Sequence, residues 1–332
     1  MVDMKACLYG ELTPVLRGSG IGTAIEHQKK ALELNGVEVT RGHRDKYDII
    51  DINTIGPRSA YVAHKMRWKN IPVTIHTHTT VEDLKDSFRY STTLAPKLKG
   101  YLKYFYDQAD LLISPSEYTQ DVIRAYGVTA DIKVISNGVD TDRFKPNAGN
   151  QMQFRQQHKL EGIVPYCVGH VFKRKGVLDF MELANTFPKN SFMWIGRIYK
   201  DLVDREIQNA VKKKPDNLLF TGYVKDVTEA YCAGDIFLFP SYCENQGISI
   251  LEAAACRKPL IVRDLPVYTG WLEDGINCLK AKNNQEFKKH LTTLIEDQKF
   301  RNKLAKKAYE MAKKHSLEKV GKELKNAYQT IV

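Results

Sequence analysis

Two acidic residues, Glu244 and Glu252, bracket the segment Glu244-Asn245-Gln246-Gly247-Ile248-Ser249-Ile250-Leu251-Glu252. The apolar run Ile236-Phe237-Leu238-Phe239 stops just before it at Pro240, and the helix-forming run Ala253-Ala254-Ala255-Cys256 follows it. The first acid is therefore expected in a loop leaving a strand, and the second on the next helix. The backbone N–H groups of Gly247, Ile248, Ser249 and Ile250 then lie at that helix's N-terminus, where unpaired donors and the helix dipole favour an anion. A carboxylate beside an anion hole is out of place if the ligand is only phosphate. It suits a ligand with hydroxyls on both sides of a diphosphate, which is the make-up of a nucleotide sugar.

Other residues bear on the same chemistry. Lys173-Arg174-Lys175-Gly176 follows the apolar run Tyr166–Val168, and three adjacent cations at a strand's C-terminal end suit a diphosphate. Alone, such a run is equally a solvated surface; the glutamate segment in the same half of the chain favours the phosphate reading. Gly18-Ser19-Gly20-Ile21-Gly22 precedes a helical stretch, with Glu38 beyond it. The dinucleotide fingerprint fits poorly, because Thr23 stands where a glycine is required; a glycine loop approaching a phosphate fits better. His76 and His78 follow the strand from Pro72 in Pro72-Val73-Thr74-Ile75-His76-Thr77-His78-Thr79-Thr80. Residues two apart on a strand share a face, so a metal pair is conceivable, but no third ligand is evident. A histidine lining a cleft is the preferred reading. Asp140-Thr141-Asp142 has the form of a metal-holding pair but falls between predicted domains, where Asp142 is expected to cap or tether the connection.

These residues need a frame. Predicted strands Lys5–Tyr9, Val37–Thr40, Asp48–Ile52, Val73–His76, Leu111–Ser114 and Lys133–Ile135 alternate with helical patterns, and a second series runs Tyr166–Val168, Phe192–Ile195, Leu218–Thr221, Ile236–Phe239 and Leu260–Val262. Alternation of this kind predicts parallel sheets with helices on both faces. It pauses over a polar stretch, so the expectation is an α/β chain of two doubly wound domains, 1–145 and 164–315, joined by a linker at 146–163. About three helices end the chain.

Composition narrows the partners. With 332 residues the chain has room for two cores, and its apolar and charged content is ordinary for a globular protein. No apolar run approaches a membrane span, and the N-terminus lacks a signal-peptide layout. The six cysteines are scattered with no close pair, which argues against disulfides and zinc. A net charge of +11 points to an anionic partner. It concentrates in two stretches: nine Lys/Arg against three Asp/Glu from Arg58 to Phe105, and twelve against six from Glu286 to Lys325. In the first, Lys65, Arg67 and Lys69 interleave with Tyr61 and Trp68, and Lys97, Lys99 and Lys103 with Tyr101, Tyr104 and Phe105. Basic helices rich in aromatics lie in anionic membrane interfaces, although half of each helix must pack on its sheet. The Lys-rich C-terminal helices read as solvated surface.

With these residues assembled, the chain resembles retaining glycosyltransferases of the GT-B fold in glycosyltransferase family 4. The likeness runs over nearly the whole chain and is strongest from Asp235 to Val262, where Glu244 and Glu252 meet the family's paired-glutamate signature. Gly20 and Gly22, His78 six residues after Pro72, Ser136-Asn137-Gly138-Val139-Asp140-Thr141-Asp142-Arg143-Phe144, and Lys175-Gly176 support it. The variants around Cys243 and Val168-Gly169-His170 are most similar to bacterial diacylglycerol glucosyltransferases. His170 departs from the family's usual arginine, Gln246 from an aromatic and Arg257 from a glycine.

The resemblance implies two Rossmann-like domains facing a cleft, with the C-terminal helix, about 316–332, returning to the first. It implies a hexosyltransferase moving glucose from UDP-glucose, with retention, to a membrane glycolipid: monoglucosyldiacylglycerol giving diglucosyldiacylglycerol, α-1,2 linked. Diacylglycerol itself or another cell-envelope saccharide is the alternative acceptor. A non-catalytic basic membrane-binding protein is the alternative of another class. Glu252 would hold the ribose and Glu244 the transferred sugar. Residues 247–250 with Lys173, Arg174 and Lys175 would hold the diphosphate, Tyr223 and Val224 would meet the uracil, Gly20 would let its loop close, and His78 would touch the sugar. The mechanism requires no metal; Mg is compatible with it but not implied. The implied setting is peripheral, on the cytoplasmic face of an anionic membrane, with no nucleic-acid partner.

Overall fold

The structure, a computed structural model, describes residues 4–11, 18–85, 91–199 and 203–332, and only the backbone of 91–96. The chain divides into two compact units, each built on one parallel sheet. The first takes in Met1–Leu84, Thr92–Gly138 and His315–Val332; the second is chiefly Val139–Lys314.

In the first unit, strands β1 (Lys5–Tyr9), β2 (Glu38–Thr40), β3 (Ile49–Ile52), β4 (Val73–His76), β5 (Leu111–Ser114) and β6 (Ile132–Val134) lie in the order β2-β1-β3-β4-β5-β6. Every neighbouring pair is parallel. The inner strands β3, β4 and β5 are buried along their whole length, which is why they read as short, mainly apolar runs rather than as a regular polar–apolar alternation. Helices α1 (Gly20–Leu34), α2 (Pro57–Trp68), α3 (Val81–Leu84), α4 (Ser91–Tyr106) and α5 (Glu117–Ala125) connect them. One core packs Val62, Met66, Leu102, Phe105 and Tyr106 against Ile50, Ile52, Val73 and Ile75.

The second unit holds α6 (Ala148–His158), β7 (Pro165–Val168), α7 (Val177–Thr186), β8 (Phe192–Ile195), α8 (Arg205–Lys212), β9 (Leu218–Gly222), α9 (Val227–Ala233) and β10 (Ile236–Phe239). It continues through α10 (Ile248–Ala255), β11 (Leu260–Arg263), β12 (Leu279–Ala281), α11 (Asn284–Glu296) and α12 (Gln298–Ala312). Its sheet order is β12-β11-β10-β7-β8-β9. Strand order reverses between β7 and β10, and ligands of open parallel sheets bind outside the strand C-termini at such a point.

The last helix, α13 (Leu317–Tyr328), returns to the first unit. It packs Val320, Leu324 and Tyr328 with Leu32, Ile49, Leu111 and Ile113 on the sheet's other face. A side chain at Gly321 would put its Cβ 1.9 Å from the carbonyl oxygen of Ala31, so glycine sets how closely α13 approaches α1.

Three expectations change. The stretch 146–163 is no free linker: it contains α6, with Phe154 buried, and Arg155 pairs with Asp235 and donates to the Ala233 carbonyl at 2.8 Å. A helix anchored by one phenylalanine and one arginine carries no apolar stripe, so it reads as a linker. The structure adds the edge strand β12, Leu279–Ala281, which the sequence expectation lacks. Gly20 and Gly22 lie in the first turn of α1 rather than in a loop, because the Ser19 hydroxyl caps the helix by accepting from the Gly22 N–H at 3.1 Å.

Candidate functional site

The loops after β7 and β10 meet at the reversal in the second sheet. After β7 the chain makes a single 3-10 turn, Lys173–Lys175, and then Gly176 at φ +74°. A Cβ at Gly176 would lie 2.3 Å from the carbonyl oxygen of Pro240, so only glycine lets this turn lie against the end of β10. The closeness sets the charges. Lys175 Nζ is 2.5 Å from Glu244 Oε1, the buried Ser241 hydroxyl donates to the same oxygen at 2.5 Å, and Arg174 Nη1 lies 3.9 Å from it. Arg174 also donates to the Cys243 carbonyl at 3.0 Å. One carboxylate oxygen thus gathers two cations and a hydroxyl.

Past Glu244 the chain enters α10 through Gly247, at φ +93°. The Ile250 N–H already bonds the Gly247 carbonyl at 3.0 Å, so the donors expected at 247–250 reduce to the helix-end N–H groups of Gly247, Ile248 and Ser249. Glu252 is buried one turn further on and accepts the Tyr231 hydroxyl at 2.5 Å. Burial pushes the Glu252 carboxyl up to about 7, against the pull of the Tyr231 hydroxyl and the charge of Arg143.

Around this core the placements vary. Lys173, expected on the diphosphate, is exposed and pairs with Glu206 at 2.7 Å. Tyr223 is half exposed just past β9, with the Arg197 guanidinium 4.5 Å from its ring centre, and Val224 follows it. His170, where the family's usual arginine is missing, is no substitute cation: burial and the charges of Lys175, Arg197 and Arg174 push its imidazole down to about 4. The Asp-Thr-Asp stretch works through the other acid than expected. Asp140, not Asp142, is buried and accepts from the N–H groups of Asp142 at 3.2 Å and Arg143 at 3.1 Å, as a turn cap does.

In the first unit the two histidines after Pro72 divide their roles. His76 is buried, with Nε2 2.9 Å from Asp51 Oδ2. His78 lies past the end of β4, half-buried, with Nε2 2.9 Å from Asn53 Oδ1. Their rings stack at 5.2 Å. Burial, with the neighbouring His76, holds His78 well below the usual imidazole value, so it is neutral near pH 7. A Cβ at Gly20 would meet nothing within 4 Å among the described residues, so contacts among those residues do not demand that glycine.

The basic aromatic helices split by face. On α2, Ser59, Val62, Ala63 and Met66 are buried. Tyr61 and Trp68 face solvent, Trp68 at 82% exposure, with the Lys65 ammonium 5.9 Å from the Tyr61 ring centre and Arg67 and Lys69 exposed. On α4, Lys97 and Lys99 are exposed and Tyr104 is 55% exposed. Phe105 is fully buried, and the partly buried Tyr101 donates its hydroxyl to the Ile55 carbonyl at 2.5 Å. Phe105 is therefore withdrawn from the membrane-facing set, because it supplies the face that α4 packs on the sheet. Lys103 pairs with Asp107 at 2.6 Å.

Sequence reasoning missed Ser241 and Tyr231, which orient the two glutamates, and the Asp51–His76 pair. A serine closing a strand and a tyrosine on the preceding helix carry no spacing signature; only Asp51, a charge inside an apolar strand, was visible as an anomaly.

Two family descriptions match the chain: "Glycosyltransferase Family 4" over residues 39–143 and "Glycosyl transferases group 1" over 150–311. A processive diacylglycerol alpha-glucosyltransferase of Acholeplasma laidlawii is 36% identical, over 99% of this chain and 99% of that protein. An alpha-monoglucosyldiacylglycerol synthase of the same organism is 27% identical over 86% of this chain and 76% of that one. Among solved structures, Anabaena Alr3699/HepE in complex with UDP-glucose is similar at a TM-score of 0.81 and 18% identity, covering 98% of this chain and 100% of that one. The sucrose-phosphate synthase of Thermosynechococcus elongatus is similar at 0.82 and 16%, covering 99% of each.

Proposed function

The chain belongs to glycosyltransferase family 4, with the GT-B fold, and from that premise we propose that it is a retaining glucosyltransferase. It moves glucose from UDP-glucose to a membrane glycolipid, monoglucosyldiacylglycerol, to give α-1,2-linked diglucosyldiacylglycerol. The observation that carries this is the convergence of Lys175, Arg174 and Ser241 on Glu244 at the strand reversal, with Glu252 buried on the helix that follows.

On this reading Glu252 accepts from the ribose hydroxyls and Glu244 from those of the transferred glucose, each carboxylate held by a neighbouring hydroxyl. The diphosphate lies between them, on the first-turn N–H groups of α10 and on Lys175 and Arg174. Tyr223 and Val224 border the uracil, Gly20 and Gly22 approach the phosphates, and neutral His78 meets the sugar. As the bond from the anomeric carbon to the diphosphate oxygen breaks, negative charge grows on that oxygen, and on this reading Lys175, Arg174 and the helix end stabilise it; such preorganised charge is a large part of catalysis. The acceptor hydroxyl attacks from the same face and passes its proton to the leaving diphosphate, so configuration is retained. On this reading no step requires a metal, and Mg is compatible with it.

The acceptor is reached at the surface of an anionic bilayer, with the enzyme peripheral on its cytoplasmic face. Trp68, Tyr61, Lys65, Arg67 and Lys69 on α2, with Lys97, Lys99 and Tyr104 on α4, combine exposed aromatics with cations, as interfacial helices do. No helix among the described residues is long and apolar enough to cross a membrane. The name of the Acholeplasma relative, a processive enzyme on diacylglycerol, favours a second reading in which diacylglycerol also serves as acceptor. Both are tested by supplying UDP-glucose with either lipid in anionic mixed micelles and separating the products by chromatography. Conversion of the monoglucosyl lipid is expected; failure to glucosylate either lipid would refute the proposal.

A further inference from the structure

A second buried polar assembly lies in the first unit, and it joins four elements. Tyr328, at the end of α13, donates its hydroxyl to Asp51 Oδ2 on β3. The same oxygen accepts from His76 Nε2 on β4 at 2.9 Å, and His76 Nδ1 meets Gln28 Nε2 on α1 at 2.9 Å. All four side chains are buried. The Oδ1 of Asp51 and the Oε1 of Gln28 have no partner among the described residues. A carboxylate and two amide or imidazole groups in a core, incompletely satisfied, are a poor means of stabilising a fold that apolar residues would hold better. Their arrangement has a direction instead. β1 and β3 flank the strand reversal of this sheet, and the chain of bonds grips the His76 ring at both nitrogens, leaving its face stacked on His78.

We infer that Tyr328, Asp51 and His76 are positioning residues for His78, so that the C-terminal helix is a working part of the sugar site. The inference rests on the proposal that His78 meets the transferred sugar. Asp51 fixes the plane of the His76 ring through Nε2, and Gln28 fixes it through Nδ1. The His76 face then limits the tilt of the His78 ring, while Asn53 holds that ring's Nε2 from the other strand. Tyr328 keeps the Asp51 carboxylate turned toward His76. Removing one hydroxyl from the last helix turn loosens the clamp without touching the nucleotide grip, which lies in the second unit. A misplacement on the order of 1 Å at a reacting group costs up to about a hundredfold in rate.

The test uses the full-length enzyme with UDP-glucose and monoglucosyldiacylglycerol in anionic micelles. Tyr328→Phe and Asp51→Asn are made singly and each with His78→Ala, and kcat, the KM for UDP-glucose, UDP affinity and Tm are measured. We expect Tyr328→Phe to lower kcat about tenfold and Asp51→Asn more, with UDP affinity unchanged. Combined with His78→Ala, neither should add to the loss that His78→Ala causes alone. Normal kinetics in His78→Ala would remove His78 from the site and the inference with it. An impaired His78→Ala beside a normal Tyr328→Phe, or losses that multiply in the double variants, would overturn the positioning role alone. If Asp51→Asn does not fold, Tyr328→Phe decides.

Discussion

The ribose role proposed for Glu252 predicts that UDP-glucose binding depends on pH in a way its surroundings specify. Its carboxyl is buried and pushed up to about 7 from an ordinary 4.5, a gap corresponding to on the order of 3 kcal/mol against the ionised form. The sign for stability follows. The folded value lies above the unfolded one, so between pH 4.5 and 7 the native state holds a proton that the unfolded chain has released. Stability therefore falls across that window and is lowest above it. Binding runs the other way, because ribose hydroxyls donate best to the anion. With half-ionisation near 7, the binding-competent fraction rises from roughly a tenth at pH 6 to roughly nine-tenths at pH 8, so the apparent Kd falls by about tenfold. UDP-glucose is the right probe because its diphosphate is a diester, without the free-phosphate ionisation that UDP undergoes near pH 6. Calorimetric titration at pH 6, 7 and 8 should show tighter binding with rising pH and proton release near pH 7. In Glu252→Gln the slope should vanish, affinity at pH 8 should weaken, and Tm at pH 8 should rise because the charge buried beside Tyr231 is gone. A flat wild-type profile, or the same slope in Glu252→Gln, would refute the ribose assignment.

Other consequences can be checked alongside. Lys175→Ala is expected to lower kcat by about a hundredfold to a thousandfold, as loss of a charge-stabilising donor does; near-normal turnover would remove Lys175 from the mechanism. Trp68→Ala should leave stability within about 0.5 kcal/mol yet weaken flotation with anionic vesicles at low salt, whereas Phe105→Ala should cost about 3–5 kcal/mol of stability. Equal vesicle binding by wild type and Trp68→Ala would argue against the α2 surface. Gly321→Val should lower Tm, since its Cβ would meet the Ala31 carbonyl at 1.9 Å; an unchanged Tm would mean that α13 shifts at little cost.

The sheets were legible because buried parallel strands such as Leu111–Ser114 and Ile236–Phe239 are mostly or wholly apolar runs, and the paired glutamates because a loop and a helix start bound them. What escaped lacks a period. Helix α6 buries Phe154 alone and ties in Arg155 by hydrogen bonds, too few covered positions to pattern a sequence. Lys173, Arg174 and Lys175 are chemically alike along the chain, and only the tight turn separates the surface pair with Glu206 from the two cations on Glu244. Phe105 looked like part of an aromatic surface because the sequence alternates cations and rings along α4, while the phase of the helix decides which rings are covered. Asp51 and Tyr328 stand 277 residues apart, and no local rule links them.

The most direct test of the account is the structure of the lipid product. Purified enzyme, UDP-glucose and monoglucosyldiacylglycerol in anionic micelles should yield a diglucosyl lipid whose new linkage is α by proton NMR, with one UDP released per glucose transferred. A β linkage, or UDP release with no new glycolipid, would contradict it.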